Sequence, residues 1–266
     1  MNAVPFAMAG LGGGLVAELW PCAPYEARDG GGSGVVGFAF EAQEGEDAIA
    51  SDRVRPFRRG ANTLAWIPPG CPAFSTSRTG GEYLVLRGLA ADAIAHPDAA
   101  LRAVNDAADP IALATARALR RWLLAGPAHD QAATAMVDVL RAALLARFQG
   151  GPGRAAGWLT PARTAVIDRL IAARMNEWIE TADFAAKLGL SVGFLVHAFR
   201  GALGTTPHHY LMERRLARAR AELTSTAKPI AGIALECGFA DQAHLTRHMR
   251  TALGMTPAAY RRLSRA

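Results

Sequence analysis

The 266-residue chain has only three cysteines, Cys22, Cys71 and Cys237, scattered and odd in number. That pattern supplies neither a disulfide framework nor metal-ligand spacing, and it suits a reduced, cytoplasmic protein. No apolar run is long enough to span a bilayer, so no membrane partner is expected. The opening stretch MNAVPFAMAGLGGGLVAELW lacks a basic segment and contains Glu18, which argues against a signal peptide. Histidine is absent before His96, so the N-terminal region has no His cluster with which to hold a catalytic metal. Its carboxylates include Glu41, Glu44, Glu46, Asp47 and Glu82. Glu44, Glu46 and Asp47 read as an acidic surface turn rather than a cation site. Ser33 in GGGSGVV lacks both the G-x-S-x-G frame and a Walker lysine. The expectation is therefore no catalytic residue, no cofactor, no metal and no enzyme.

What the sequence does contain is a repeat. RGALGTTPHHY at 200–210 and RTALGMTPAAY at 250–260 share the frame R-x-A-L-G-x-T-P-x-x-Y. The half of the chain that holds both copies is also the basic half. The net charge is +6 overall, −2 for residues 1–150 and +8 for residues 151–266. Such asymmetry suits a polyanionic partner for the C-terminal half. The Gly/Pro/Ala stretch FQGGPGRAAG at 148–157 coincides with the change in charge and reads as a linker. Two domains are expected, 1–150 and 158–266.

Residues 1–92 read as antiparallel β structure. The strand candidates are GLVAELW (14–20), GVVGFAFEA (34–42), NTLAWIP (62–68) and EYLVLRGL (82–89). Residues 93–150 read as helical, with helices over 110–125 and 129–148. The second would bury a stripe of Met136, Val139, Leu140, Leu144 and Phe148. This pair either covers its own sheet or makes a homodimer contact. Trp20, Phe38, Phe40, Trp66 and Tyr83 read mainly as core, with an apolar ligand pocket as the alternative. Arg53, Arg55, Arg58 and Arg59 read as a solvated loop, with a grip on a carboxylate effector as the alternative.

The C-terminal half reads as all helical. Thr160 and Pro161 open a helix whose apolar stripe is Val166, Ile167, Leu170 and Ile171. A short helix near 181–188 ends at Gly189, and Leu195, Phe199 and Leu203 then follow at i, i+4, i+8. Two helices joined by a Gly-containing turn make a helix-turn-helix. A longer helix covers 207–223. The pattern then restarts, with Ile230, Ile233, Ala234 and Cys237 on one face, Gly238 as the break, and Leu245, Met249 and Leu253 inward. The side opposite that second inward set carries Asp241, Gln242, Thr246, Arg247 and Arg250, and His244 lies nearby. Gln pairs with adenine N6/N7 and Arg with guanine O6/N7, so this face is suited to base readout. The first copy offers Val192, Gly193, Val196, His197 and Arg200 instead. It should contribute shape and apolar contacts, such as Val196 on a thymine methyl, more than hydrogen bonds. Two reading heads on one chain, about 34 Å apart, could enter successive major grooves of an asymmetric site.

Residues from about 163 to 264 resemble the DNA-binding domain of the AraC/XylS family of transcriptional regulators. The resemblance is carried by RRLARARAELTSTAKPIAGIALECGFADQAHLTRHMRTALGMTPAAYRR at 214–262. It implies an α+β chain: a β-rich, cupin-like N-terminal domain that senses a small-molecule effector, then two helix-turn-helix units on a linker helix. It places Gln242, Thr246 and Arg247 at the second DNA contact, and Gly193, Val196 and His197 at the first. It also implies double-stranded DNA and RNA polymerase as partners. The alternatives are a small-molecule-binding or enzymatic cupin-like protein with a helical adaptor, and a general DNA-coating protein.

Overall fold

The apolar runs of the N-terminal half become strands, seen in a computed structural model that describes residues 4–5, 7–90, 104–126, 130–149 and 158–263. The chain divides into two compact units, Met1–Gly151 and Pro152–Ala266. The first contains strands β1 (Ala7–Gly10), β2 (Val16–Trp20), β3 (Tyr25–Asp29), β4 (Gly34–Ala39) and β5 (Gln43–Ile49). Strands β6 (Arg55–Arg59), β7 (Thr63–Ile67), β8 (Ala73–Ser77), β9 (Tyr83–Leu89) and β10 (Val104–Ala108) follow. They form a six-stranded sheet in the order β1-β2-β9-β4-β7-β10 and a four-stranded sheet in the order β3-β8-β5-β6. The pairings are antiparallel.

The four strands expected from apolar runs are β2, β4, β7 and β9, all in the six-stranded sheet. The four-stranded sheet is built from segments expected to be turns and loops. Glu44, Glu46 and Asp47 lie on β5, and Arg55, Arg58 and Arg59 on β6. The two strands pair with Glu44 opposite Arg58 and Asp47 opposite Arg55. The Glu44–Arg58 pair is exposed and adds little; β5 is held by its ladders to both β6 and β8 rather than by apolar alternation. Residues 93–150 are likewise not all helical: Val104, Ala107 and Ala108 pair with the edge of β7. His96 and residues 150–157 of the linker lie outside the described residues.

Helices α1 (Pro110–Ala125) and α2 (Asp130–Gln149) complete this unit. Asp109 caps α1 by accepting the Ala112 N–H at 2.7 Å. Arg120 of α1 donates to Glu82 at 3.1 Å with both side chains buried, and it stacks 4.3 Å above Phe40. This ties the helix to the strands. The buried stripe of α2 is Ala133, Val137, Leu140 and Leu144, whereas Val139 is exposed. The expected stripe is thus rotated, because Ala133 and Val137 complete the i, i+4 pattern that packing against α1 selects. The side chain of Phe148 lies outside the described residues.

The second unit contains α3 (Pro161–Ala173), α4 (Thr181–Leu188), α5 (Val192–Leu203) and α6 (Pro207–Ser225). Helices α7 (Ile230–Glu236), α8 (Gln242–Leu253) and α9 (Pro257–Leu263) follow. Helix α6 packs against α3, α4 and α5 and also against α7, α8 and α9. It spans 19 residues, about 28 Å at about 1.5 Å per residue. Ile167, Ile171, Phe184, Leu195, Phe199, Leu203 and Tyr210 form one continuous core around its first half. Among the described residues, no single helix is long and apolar enough to cross a membrane.

Candidate nucleic-acid interface and N-terminal pocket

The repeated frame is a joint between two helices. Gly204 and Gly254 end α5 and α8 in the left-handed conformation, at φ +62° and +74°. Each donates its N–H back, to the carbonyls of Arg200 and Arg250 respectively. The hydroxyls of Thr206 and Thr256 then accept from the N–H groups of His209 and Ala259 at 3.2 Å, starting the next helices. Pro207 and Pro257 occupy the first helical turn, where no N–H is needed. Leu203, Leu253, Tyr210 and Tyr260 are buried. Tyr210 also donates to Asp168 at 2.8 Å and packs edge-on against Phe199. Each copy therefore fixes the exit angle of one short helix against the core.

Those two short helices are α5 and α8, equivalent at an offset of fifty residues. Ser191 caps α5 and Asp241 caps α8, accepting the N–H groups of Phe194 and His244 at 3.2 and 2.6 Å. In α8, Leu245, Met249 and Leu253 are fully buried. Gln242, Arg247 and Arg250 are exposed, and their side chains make no hydrogen bond or ion pair among the described residues. Thr246 is half-buried, and its hydroxyl donates to the Gln242 carbonyl at 2.8 Å. Asp241 is occupied as a cap.

His244 is committed within the protein. Its Nδ1 accepts from the Ala240 N–H at 3.2 Å, and its Nε2 lies 3.0 Å from His248 Nε2. Both rings pack on Phe239. Burial, and then His244 beside it, hold the His248 imidazole below its usual pKa. Cys237 is buried at the end of α7, and burial pushes its thiol up to about 11. It is therefore a packed, unreactive group at neutral pH.

In α5, Gly193, His197 and Arg200 are exposed and Val196 is half-buried. Val192 and Phe194 are also well exposed, at 44% and 43%. Phe194 was not singled out from the sequence, although it stands where α8 has His244. Its ring packs edge-on against Trp158 at 5.2 Å, and the Arg163 guanidinium lies 4.1 Å above the same indole.

The first unit contains a cavity of about 130 Å³, lined by residues of both sheets. Of the aromatic residues singled out in the sequence, Trp20 and Tyr83 reach it. Phe38, Phe40 and Trp66 are buried. Arg59 is the one member of the expected arginine group that lines it, and it lies 3.9 Å from Asp47. Asp47 Oδ2 accepts no hydrogen bond, and burial holds the carboxyl above its usual pKa despite Arg59. Arg87, also on the wall, is engaged by Glu18 at 3.2 Å and by Asp29.

A helix-turn-helix domain family matches residues 184–263. The HTH-type transcriptional activator RhaR of Klebsiella pneumoniae is 30% identical over 141 residues, 52% of this chain and 50% of its own length. The transcriptional regulator Rob of Salmonella typhimurium is 38% identical over 82 residues, 31% of this chain and 28% of its own length. This chain spans half or less of the curated relatives it matches. Among solved structures, a transcriptional regulator with an AraC-type DNA-binding domain from Chromobacterium violaceum is 34% identical. That match covers 39% of this chain and 92% of that one, with a TM-score of 0.37. With the paired joints, the shared scaffold helix and the matched segment in view, residues 184–263 of this chain form a helix-turn-helix domain similar to those of these transcriptional regulators.

Proposed function

We propose that the whole chain is a sequence-specific, DNA-binding transcriptional regulator of the cytoplasm. The observation that carries this reading is the pair of equivalent capped helices α5 and α8 on one scaffold helix, in the basic half of the chain. On α8 the exposed Gln242, Arg247 and Arg250 would meet base edges, with Thr246 beside them. On α5 the corresponding residues are Gly193, Val196, His197 and Arg200. Thr246 would accept from a base, since its proton is engaged by the helix. His244 would support the helix rather than read bases, since both its ring nitrogens are engaged. No catalytic role is assigned to any residue.

The test is selection of fragmented source-genome DNA by the full chain at two salt concentrations. A shared motif spanning two successive major grooves, about 34 Å apart, is expected. Salt-sensitive binding without any motif would indicate phosphate contacts alone and overturn base readout.

The cavity supports a small-molecule effector as the input. A cavity of about 150 Å³ can admit a benzene-sized molecule, so one of about 130 Å³ suits a single ring. Its lining is mostly apolar, and Asp47 on its wall already faces Arg59 at 3.9 Å, so a small neutral ring is the ligand class it suits. Benzene and phenol should raise the melting temperature. No shift with either of them would remove the cavity from the reading. The effector must prefer one arrangement of the chain over another, or it shifts nothing. Homodimerisation through α1 and α2, and contact with RNA polymerase, complete the proposal. Sedimentation and in vitro transcription test them.

A further inference from the structure

The two reading helices share a backbone design but differ in chemistry. Matched at the offset of fifty, Val192 stands where α8 has Gln242, and Val196 where it has Thr246. His197 and Arg200 match Arg247 and Arg250. The N-terminal residues of a recognition helix are the ones that contact base edges. In α5 that segment is Val192–Val196, VGFLV, and it contains no side chain able to give or take a hydrogen bond. Ser191 before it is used as the cap.

This segment is nonetheless presented to solvent rather than buried. Val192 and Phe194 are nearly half exposed, and Val196 is half-buried. Gly193 between them is open, with nothing within 4 Å of where a Cβ would sit. A flat surface can therefore approach closely at that point. Phe194 is held edge-on by Trp158, itself covered by Arg163, which fixes the start of α5. Arg200 supplies a cation one turn further along, suited to a phosphate. In the major groove, the apolar group that a base edge offers is the C5-methyl of thymine.

We infer that α5 reads its half-site through thymine methyl groups, contacted by Val192 and Val196 across the opening at Gly193. This rests on the proposed function, in which α5 enters a major groove. The two half-sites then differ in kind. The α5 half-site requires methyl groups, and the α8 half-site requires hydrogen-bonding edges.

Deoxyuridine differs from thymidine only by that methyl, so it isolates the contact. The bound site is first obtained by selection with the full chain. The Arg247→Ala variant, which relaxes the half read by α8, identifies the other half as that of α5. Each thymine there is then replaced by deoxyuridine. One or two positions should lose about fourfold in affinity, the value of one buried methyl. Val196→Ser and Val192→Ser should each abolish the deoxyuridine penalty at the thymine that its own valine touches. Val192 is nearly half exposed at a helix start, so its variant is expected to fold even if Val196→Ser does not. A defined motif whose α5 half tolerates deoxyuridine at every position would overturn the inference alone. So would an unchanged deoxyuridine penalty in a folded serine variant. Absence of any motif would overturn the proposed function itself.

Discussion

Replacing Gly238 by alanine tests how α8 is aimed. Gly238 lies in the turn between α7 and α8 at φ +78°. A Cβ there would stand 2.4 Å from the Met175 carbonyl oxygen and 2.6 Å from the Arg215 guanidinium. Arg215 is buried and donates to the Glu177 carbonyl, so it cannot withdraw without losing that bond. Gly254 provides the internal control. It has nearly the same φ, +74°, but nothing within 4 Å of its Cβ position. Gly254→Ala should therefore cost only the left-handed backbone term, about 1–2 kcal/mol. Gly238→Ala should cost a further ~1–3 kcal/mol for overpacking. Hydrogen exchange in the full chain, followed on peptides covering 230–253, measures both locally. The difference corresponds to roughly five- to 160-fold faster exchange in Gly238→Ala than in Gly254→Ala. Equal losses in the two variants would show that the contacts at Met175 and Arg215 do not constrain the turn.

Arg247→Ala should cost about 1–3 kcal/mol on the selected DNA and relax its specificity. Equal losses on every DNA would make Arg247 a phosphate contact. Leu245→Asp places a charge in a fully buried position and should unfold the second helix-turn-helix; a native circular dichroism melt would refute its inward role. The depressed His248 pKa also has a pH consequence. The unfolded chain takes up that proton more readily, so the stabilisation is present above about 6.5 and is lost as pH falls through the folded value. His244, His208, His209 and Arg247 are the charged or titratable neighbours that act with burial. The melting temperature should fall between pH 7.5 and 5.5, and fall less in His248→Gln. An equal fall in both proteins would exclude His248 as the source.

Short-range features were readable because their causes lie within a few residues. The joint at 200–210 shows its whole mechanism in sequence: leucine inward, glycine for the left-handed stop, Thr-Pro for the restart. The inward residues of α5 and α8 followed from 3.6-residue periodicity in the same way. The four-stranded sheet was not readable, because β5 and β6 are charged strands without apolar alternation, and β5 is held between β6 and β8. A segment such as QEGEDAI alone resembles a surface turn. Strand β10 was hidden for a related reason, since VNDAA becomes a strand through the edge of β7.

The candidate interface was legible as a set of residue types and not as a set of available groups. Sequence placed Gln242, His244, Thr246 and Arg247 together on or beside one helix face. The tertiary structure decided that His244 is spent on Ala240 and His248, and that Phe194 is displayed against Trp158. It also decided that, of the arginines at 53–59, Arg59 is the one on the cavity wall. Helix starts and stops are set by local backbone geometry, which a sequence carries in full. Exposure, pairing and enclosed space depend on groups distant along the chain, and those meet only when the chain has folded.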